Sequence, residues 1–135
     1  GADEAAGEGE PVDLKSAKAA YSEANFSLSM AASGGYKAGQ EGKVEIVLEA
    51  KAPFHANDKY PYKFKTQESP GVTYPVAVVK KDQAKVENMK VTMPVAFTVA
   101  DAGKQRVSGV FHFSVCTDDK CLIEKRALAV DVDVK

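Results

Sequence analysis

From Val91 to Val99 every second residue is apolar: Val91, Met93, Val95, Phe97 and Val99 share one side of the chain, with Thr92, Pro94, Ala96 and Thr98 between them. A period of two belongs to a strand with one buried face, because a helix returns to the same face only every 3.6 residues or so. The pattern recurs. Phe26, Leu28 and Met30 alternate with Ser27 and Ser29, and Val44, Ile46 and Leu48 stand to either side of Glu45 and Val47. Tyr62 and Phe64 alternate with Lys63 and Lys65, and Val72, Tyr74, Val76 and Val78 form another run. Val107 to Ser114 and then Leu128, Val130, Val132 and Val134 complete the series. Turn chemistry separates these runs at Ser33-Gly34-Gly35, Gly39 to Gly42, Ser69-Pro70-Gly71 and Asp101 to Lys104. Pro75 and Pro94, which lack an N–H, mark strand edges or bulges.

About seven short strands, regular turn signals and no long helical pattern predict an all-β protein. The expected form is an antiparallel β-sandwich of immunoglobulin-like type, with an up-and-down barrel as the alternative closure. The antibody variety is excluded, since it bridges its sheets between cysteines far apart in sequence and buries a tryptophan, and this chain has no tryptophan and only two neighbouring cysteines. A length of 135 residues fits one domain, and a hydrophobic share of 44% is enough for a core.

The sandwich is expected over residues 23–135. Residues 1–22 read as a flexible acidic tether, a disordered N-terminal tail, because positions 1 to 13 carry five acidic residues and no basic one. Helix-favouring residues between Asp13 and Tyr21 allow either a helical turn or a lead into the first strand. Secreted bacterial lipoproteins often begin with such a stretch after a lipidated cysteine. That cysteine is missing here, so a membrane tether through an N-terminal lipid anchor and an ordinary free terminus both stay open.

Eighteen Lys and Arg nearly balance nineteen Asp and Glu, and no basic stripe with interleaved aromatics occurs, which argues against nucleic-acid binding. No apolar run approaches the roughly 18 residues of a membrane-spanning helix, and the first residues lack the regions of a signal peptide. The two cysteines have no metal-type partner pair, which fits an oxidising compartment, periplasmic or secreted.

Those cysteines, Cys116 and Cys121, flank Thr117-Asp118-Asp119-Lys120 in a Cys-x4-Cys pair between two alternating runs, and so face each other at the end of a hairpin. Cross-strand neighbours lie roughly 4.5 to 5.5 Å apart at Cα, within reach of a disulfide. Closing so small a loop stabilises by only about 2 kcal/mol, against over about 4 kcal/mol for a loop of sixty residues. A domain of this size does not need that staple, so reduction is survivable, as a redox couple requires. The local charges disagree: Asp118 and Asp119 oppose a thiolate, whereas Lys120 and Lys125 favour one. His112 shares a strand face with Cys116 but lies roughly 13 Å away at strand rise.

The segment Ala52-Pro53-Phe54-His55-Ala56-Asn57-Asp58-Lys59-Tyr60-Pro61-Tyr62-Lys63-Phe64-Lys65, followed about fifty residues later by Phe113-Ser114-Val115-Cys116-Thr117-Asp118-Asp119-Lys120-Cys121-Leu122, resembles the periplasmic N-terminal domain of the thiol-disulfide interchange protein DsbD and its relatives. In order and spacing the resemblance covers most of residues 25 to 135. It implies an immunoglobulin-like fold whose hairpin cysteines relay electrons between a membrane electron donor and periplasmic thiol oxidoreductases. By motif position it makes Cys116 and Cys121 the redox pair, and it sets Tyr60 and Tyr62 in the aromatic segment that lies near such a pair. The family's spacer between the cysteines is typically longer, and its aromatic cap loop has no counterpart in this sequence.

His55, His112, Cys116 and the three methionines invite a copper reading, but the order fails, since neither His nor Met follows Cys116 as a blue-copper site needs. No Gly-x-Ser-x-Gly elbow, His-Glu-x-x-His motif or phosphate loop occurs. Neither a metal nor a cofactor is expected. The leading expectation is therefore thiol-disulfide exchange with a protein partner. The alternative is a non-enzymatic binding or assembly module, secreted or lipid-anchored, whose disulfide only rigidifies a hairpin.

Overall fold

The structure, a computed structural model, describes residues 12–135. Residues 1–11, half of the tether expected over residues 1–22, lie outside that range. From Val12 onward the chain belongs to the domain: a 3-10 turn spans Leu14–Ser16, with the Asp13 carboxylate accepting the Lys15 N–H at 2.9 Å, and β1 spans Ala20–Ser22. The sandwich therefore includes residues that the sequence assigned to the tether.

Two antiparallel sheets face each other. The first contains β1, β2 (Phe26–Ala32), β3 (Glu41–Ala50), β9 (Lys90–Val99) and β6 (Val72–Thr73) in that order, and β8 (Lys85–Val86) also pairs with β9. The second runs β11 (Cys121–Val134), β10 (Gly103–Cys116), β5 (Lys63–Thr66) and β7 (Val78–Lys80), and β4 (His55–Ala56) also pairs with β10. This is the expected all-β sandwich, with eleven strands among the described residues rather than about seven. The difference arises because five of them, β1, β4, β6, β7 and β8, have only two or three residues, too few to show a period by themselves.

The alternating positions form the core. Phe26, Leu28 and Met30 of β2, Ile46 and Leu48 of β3 and Met93, Val95 and Phe97 of β9 meet Phe64, Phe111, Phe113 and Val115 from the other sheet, all buried. Phe113 sets its ring edge-on to Phe26, with centroids 4.9 Å apart, and stacks on Phe111 at 5.5 Å, an arrangement that aromatic quadrupoles favour. The run from Val72 to Val78 is divided: Val72 lies in the first sheet and Val78 in the second, so the chain crosses between sheets at Pro75. Pro94 stands opposite Glu45 of β3, while on the other side of β9 the partners are Val91 and Thr92 for β8, and Thr98 and Val99 for β6. The missing N–H thus falls in a strand that is paired along only part of one side.

Candidate functional site

The β10–β11 hairpin reverses at Thr117-Asp118-Asp119-Lys120. The Thr117 N–H donates to the Lys120 carbonyl at 2.8 Å, and the Thr117 hydroxyl oxygen accepts from the N–H groups of Asp119 and Lys120 at 3.2 and 3.3 Å. A side-chain oxygen that satisfies turn N–H groups is the usual reason for threonine or serine at such a corner. Hydrogen-bonded and open rungs alternate in an antiparallel ladder, so Cys116 and Cys121 fall on the next, open rung. Their Cα atoms are 4.0 Å apart and the sulfurs are joined in a disulfide.

The two cysteines differ in surroundings. Cys116 is 5% exposed, whereas Cys121 is exposed. The difference comes from the strand order, because β11 is an edge of its sheet at this point while β10 has neighbours on both sides. On its second side Cys116 stands opposite His55 of β4. The sequence singled out His55 only in the copper reading, not as a strand neighbour of Cys116. Its pairing was concealed because a two-residue strand carries no periodicity, although His55 lies within the segment that carried the family resemblance.

Along β10 the partner changes from β5, which pairs with Gly109 to His112, to β4, which pairs with Val115 and Cys116. The chain between these strands closes the gap at Ser114. Asn57 donates its N–H to the Ser114 carbonyl at 3.1 Å and its side-chain amide to the Ser114 hydroxyl at 3.2 Å. The Tyr62 hydroxyl lies 2.9 Å from the Ser114 carbonyl oxygen and 2.8 Å from that of Asn57. Burial pushes the Tyr62 phenol well above its ordinary pKa, against a smaller lowering by the Asn57 carbonyl bond, and the phenol stays protonated as a donor. Tyr60 sets its ring edge-on to Tyr62 at 5.4 Å, and Tyr62 stacks on Phe111 at 6.3 Å.

The four site residues named from sequence therefore stand in two places. Cys116 and Cys121 form the open rung at the hairpin mouth. Tyr60 and Tyr62 are buried, and Tyr62 braces the strand two residues before Cys116 instead of presenting a surface to a ligand. Asn57 and Thr117, which shape the site through backbone bonds, carried no sequence signal beyond their turn propensity. His112 lies on the Cys116 face of β10, four positions away and buried.

A second concave feature lies apart from the disulfide. A groove of about 790 Å³ runs between Pro75 to Gln83 and the outward positions Lys43, Pro94 and Ala96, with Val76 at its lip 50% exposed. Among the described residues no group of three His, Cys, Asp or Glu side chains gathers as metal ligands would, and no helix is long and apolar enough to cross a membrane.

No family model and no curated protein matches the chain. Among solved structures it is similar to AggA, the major subunit of aggregative adherence fimbriae type I from Escherichia coli, at 7% identity and a TM-score of 0.41, over 85% of this chain and 99% of that one.

Proposed function

We propose that this domain exchanges its Cys116–Cys121 disulfide with the thiols of a protein partner in the periplasm or outside the cell. The observation that carries the reading is the unequal exposure of the two cysteines, with Cys121 open at a sheet edge and Cys116 enclosed between β4 and β11. A partner thiolate attacks the Cys121 sulfur, the Cys116–Cys121 bond breaks, and its electron pair leaves on the Cys116 sulfur, giving a mixed disulfide at Cys121. A second thiolate of the partner then attacks its own sulfur and releases Cys121 as a thiolate. Two electrons and, after protonation, two protons have reached the domain. The reverse sequence passes them on, so the partners proposed are a thiol oxidoreductase and a membrane electron donor, as in the DsbD resemblance.

The equilibrium reduction potential tests this directly, by titration in glutathione or dithiothreitol buffers. Structural disulfides usually lie below about −300 mV, so a value in that range sinks the exchange reading and one near −200 mV supports it. The second reading is the non-enzymatic binding or assembly module. The groove beside Val76 favours it, since an apolar lip over a concave surface suits a segment of another protein. A potential below −300 mV would leave that module as the better account, with the disulfide as a hairpin clasp.

A further inference from the structure

Cys121, Cys116 and His55 stand in one transverse row across β11, β10 and β4. The Asn57 N–H donates to the Ser114 carbonyl at 3.1 Å, so Asn57 and Ser114 form a hydrogen-bonded rung, and alternation by two makes His55 and Cys116 the next such rung. Residues opposite each other on such a rung are about 5.5 Å apart at Cα and project from the same face of the sheet. An imidazole and a thiol so placed come within hydrogen-bonding reach of each other. Ser114, the next residue of β10 on that face, already has its hydroxyl engaged by the Asn57 side-chain amide at 3.2 Å.

Attack at the exposed Cys121 sulfur sends the electron pair to Cys116, which is only 5% exposed. A thiolate so covered is poorly solvated and leaves slowly. A cation or proton donor beside the sulfur removes that penalty. The charged groups around the row are His55 within it, Asp118, Asp119 and Lys120 in the turn, Asp58 beyond β4, Glu87 beside Asn88, which accepts the Ala56 N–H, and His112 and Lys125 about 13 Å down the sheet. Of these only His55 stands directly opposite Cys116. We propose that the His55 imidazolium stabilises the departing Cys116 thiolate and hands it a proton. As the partner sulfur bonds to Cys121, the Cys121–Cys116 bond breaks, the electron pair goes to the Cys116 sulfur, a proton crosses from the imidazolium, and the imidazole regains one from solvent. In the reverse step the imidazole takes the proton back as Cys116 attacks the mixed disulfide. This role rests on the exchange reading above.

The test compares the unaltered full-length chain with His55→Gln, which keeps a hydrogen-bonding side chain without charge, and with His55→Lys, which restores a cation. Reduction by dithiothreitol at pH 7 should slow about tenfold in His55→Gln and recover most of that loss in His55→Lys. In the Cys121→Ser background, where Cys116 is the single thiol, adding His55→Gln should raise the thiol pKa read from thiolate absorbance by about one unit, and adding His55→Lys should not. A histidine that only fills β4 would change the urea midpoint and leave that pKa where it was. An unchanged pKa and rate in His55→Gln overturn the proposal, as does an equal loss in His55→Gln and His55→Lys. The exchange reading is judged separately, on the unaltered protein: a reduction potential in the range of structural disulfides sinks it, and this role with it, whatever the variants do. An exchange-range potential with an unmoved thiol pKa sinks the role of His55 alone.

Discussion

The Tyr62 hydroxyl lies 2.9 Å from the Ser114 carbonyl oxygen, at the one point where β10 has left β5 and has not yet met β4. That contact ties the chain entering β5 to the strand bearing Cys116. Tyr62→Phe keeps the ring and its contacts with Tyr60 and Phe111 and removes only the donor. The Ser114 carbonyl keeps the Asn57 N–H, so the change removes one hydrogen bond without leaving that acceptor unpaired, and urea unfolding of Tyr62→Phe should show a loss of about 1 kcal/mol. A loss of only a few tenths would mean that the hydroxyl does not brace this strand.

The same phenol sets the response to alkali. Burial raises the Tyr62 pKa in the folded state, and burial raises that of Tyr74 too, above the value of about 10 expected in the unfolded chain. A raised folded pKa gives stability that is fully present below about pH 10. It is lost as pH rises from there toward the folded value, because the unfolded chain releases its proton first. Each phenol contributes a slope of at most about 1.4 kcal/mol per pH unit in that window. Urea midpoints should therefore be flat with respect to these two groups from pH 7 to 9 and fall above pH 10, less steeply in Tyr62→Phe. An equal fall in both proteins would remove Tyr62 from the account.

The disulfide closes a small loop, so its removal should cost little. Cys116→Ser with Cys121→Ser should remain folded and lose about 2 kcal/mol, the chain-entropy value for so short a separation. The expected circular dichroism spectrum is that of the unaltered protein, with a lower urea midpoint. Collapse of the β signal would show that the clasp holds the hairpin together, and an exchange cycle through a reduced state would then be untenable.

How much of this was legible in the sequence depended on strand length. β9 and β10 run for ten and fourteen residues, and alternation over Val91 to Val99 or Phe111 to Val115 cannot be mistaken for another element. Strands of two residues have no period at all, so β4 and the neighbourhood of His55 and Cys116 followed only from three-dimensional pairing. The Val72 to Val78 run looked continuous because alternation records which side is apolar and not which sheet receives it. The cysteines were legible as a pair, but their unequal exposure was not, since it depends on β11 being an edge and β10 being interior.

Register also makes one glycine irreplaceable. Gly109 sits in β10 between Thr66 of β5 and Leu128 of β11, and a Cβ there would run into the Lys65 carbonyl oxygen and come within 2.5 and 2.9 Å of the Phe64 ring. Neither neighbour can yield easily, because the carbonyl is part of the β5 backbone and the ring is buried in the core. Gly109→Ala should therefore cost at least about 2 to 3 kcal/mol in urea unfolding, the range for forcing atoms into a filled interior. Gly34→Ala is the comparison. A Cβ at Gly34 meets nothing within 4 Å, and only its φ of +90° opposes the change, for about 1 to 2 kcal/mol. If Gly34→Ala proves the more damaging, β5 does not approach β10 as closely as this register requires.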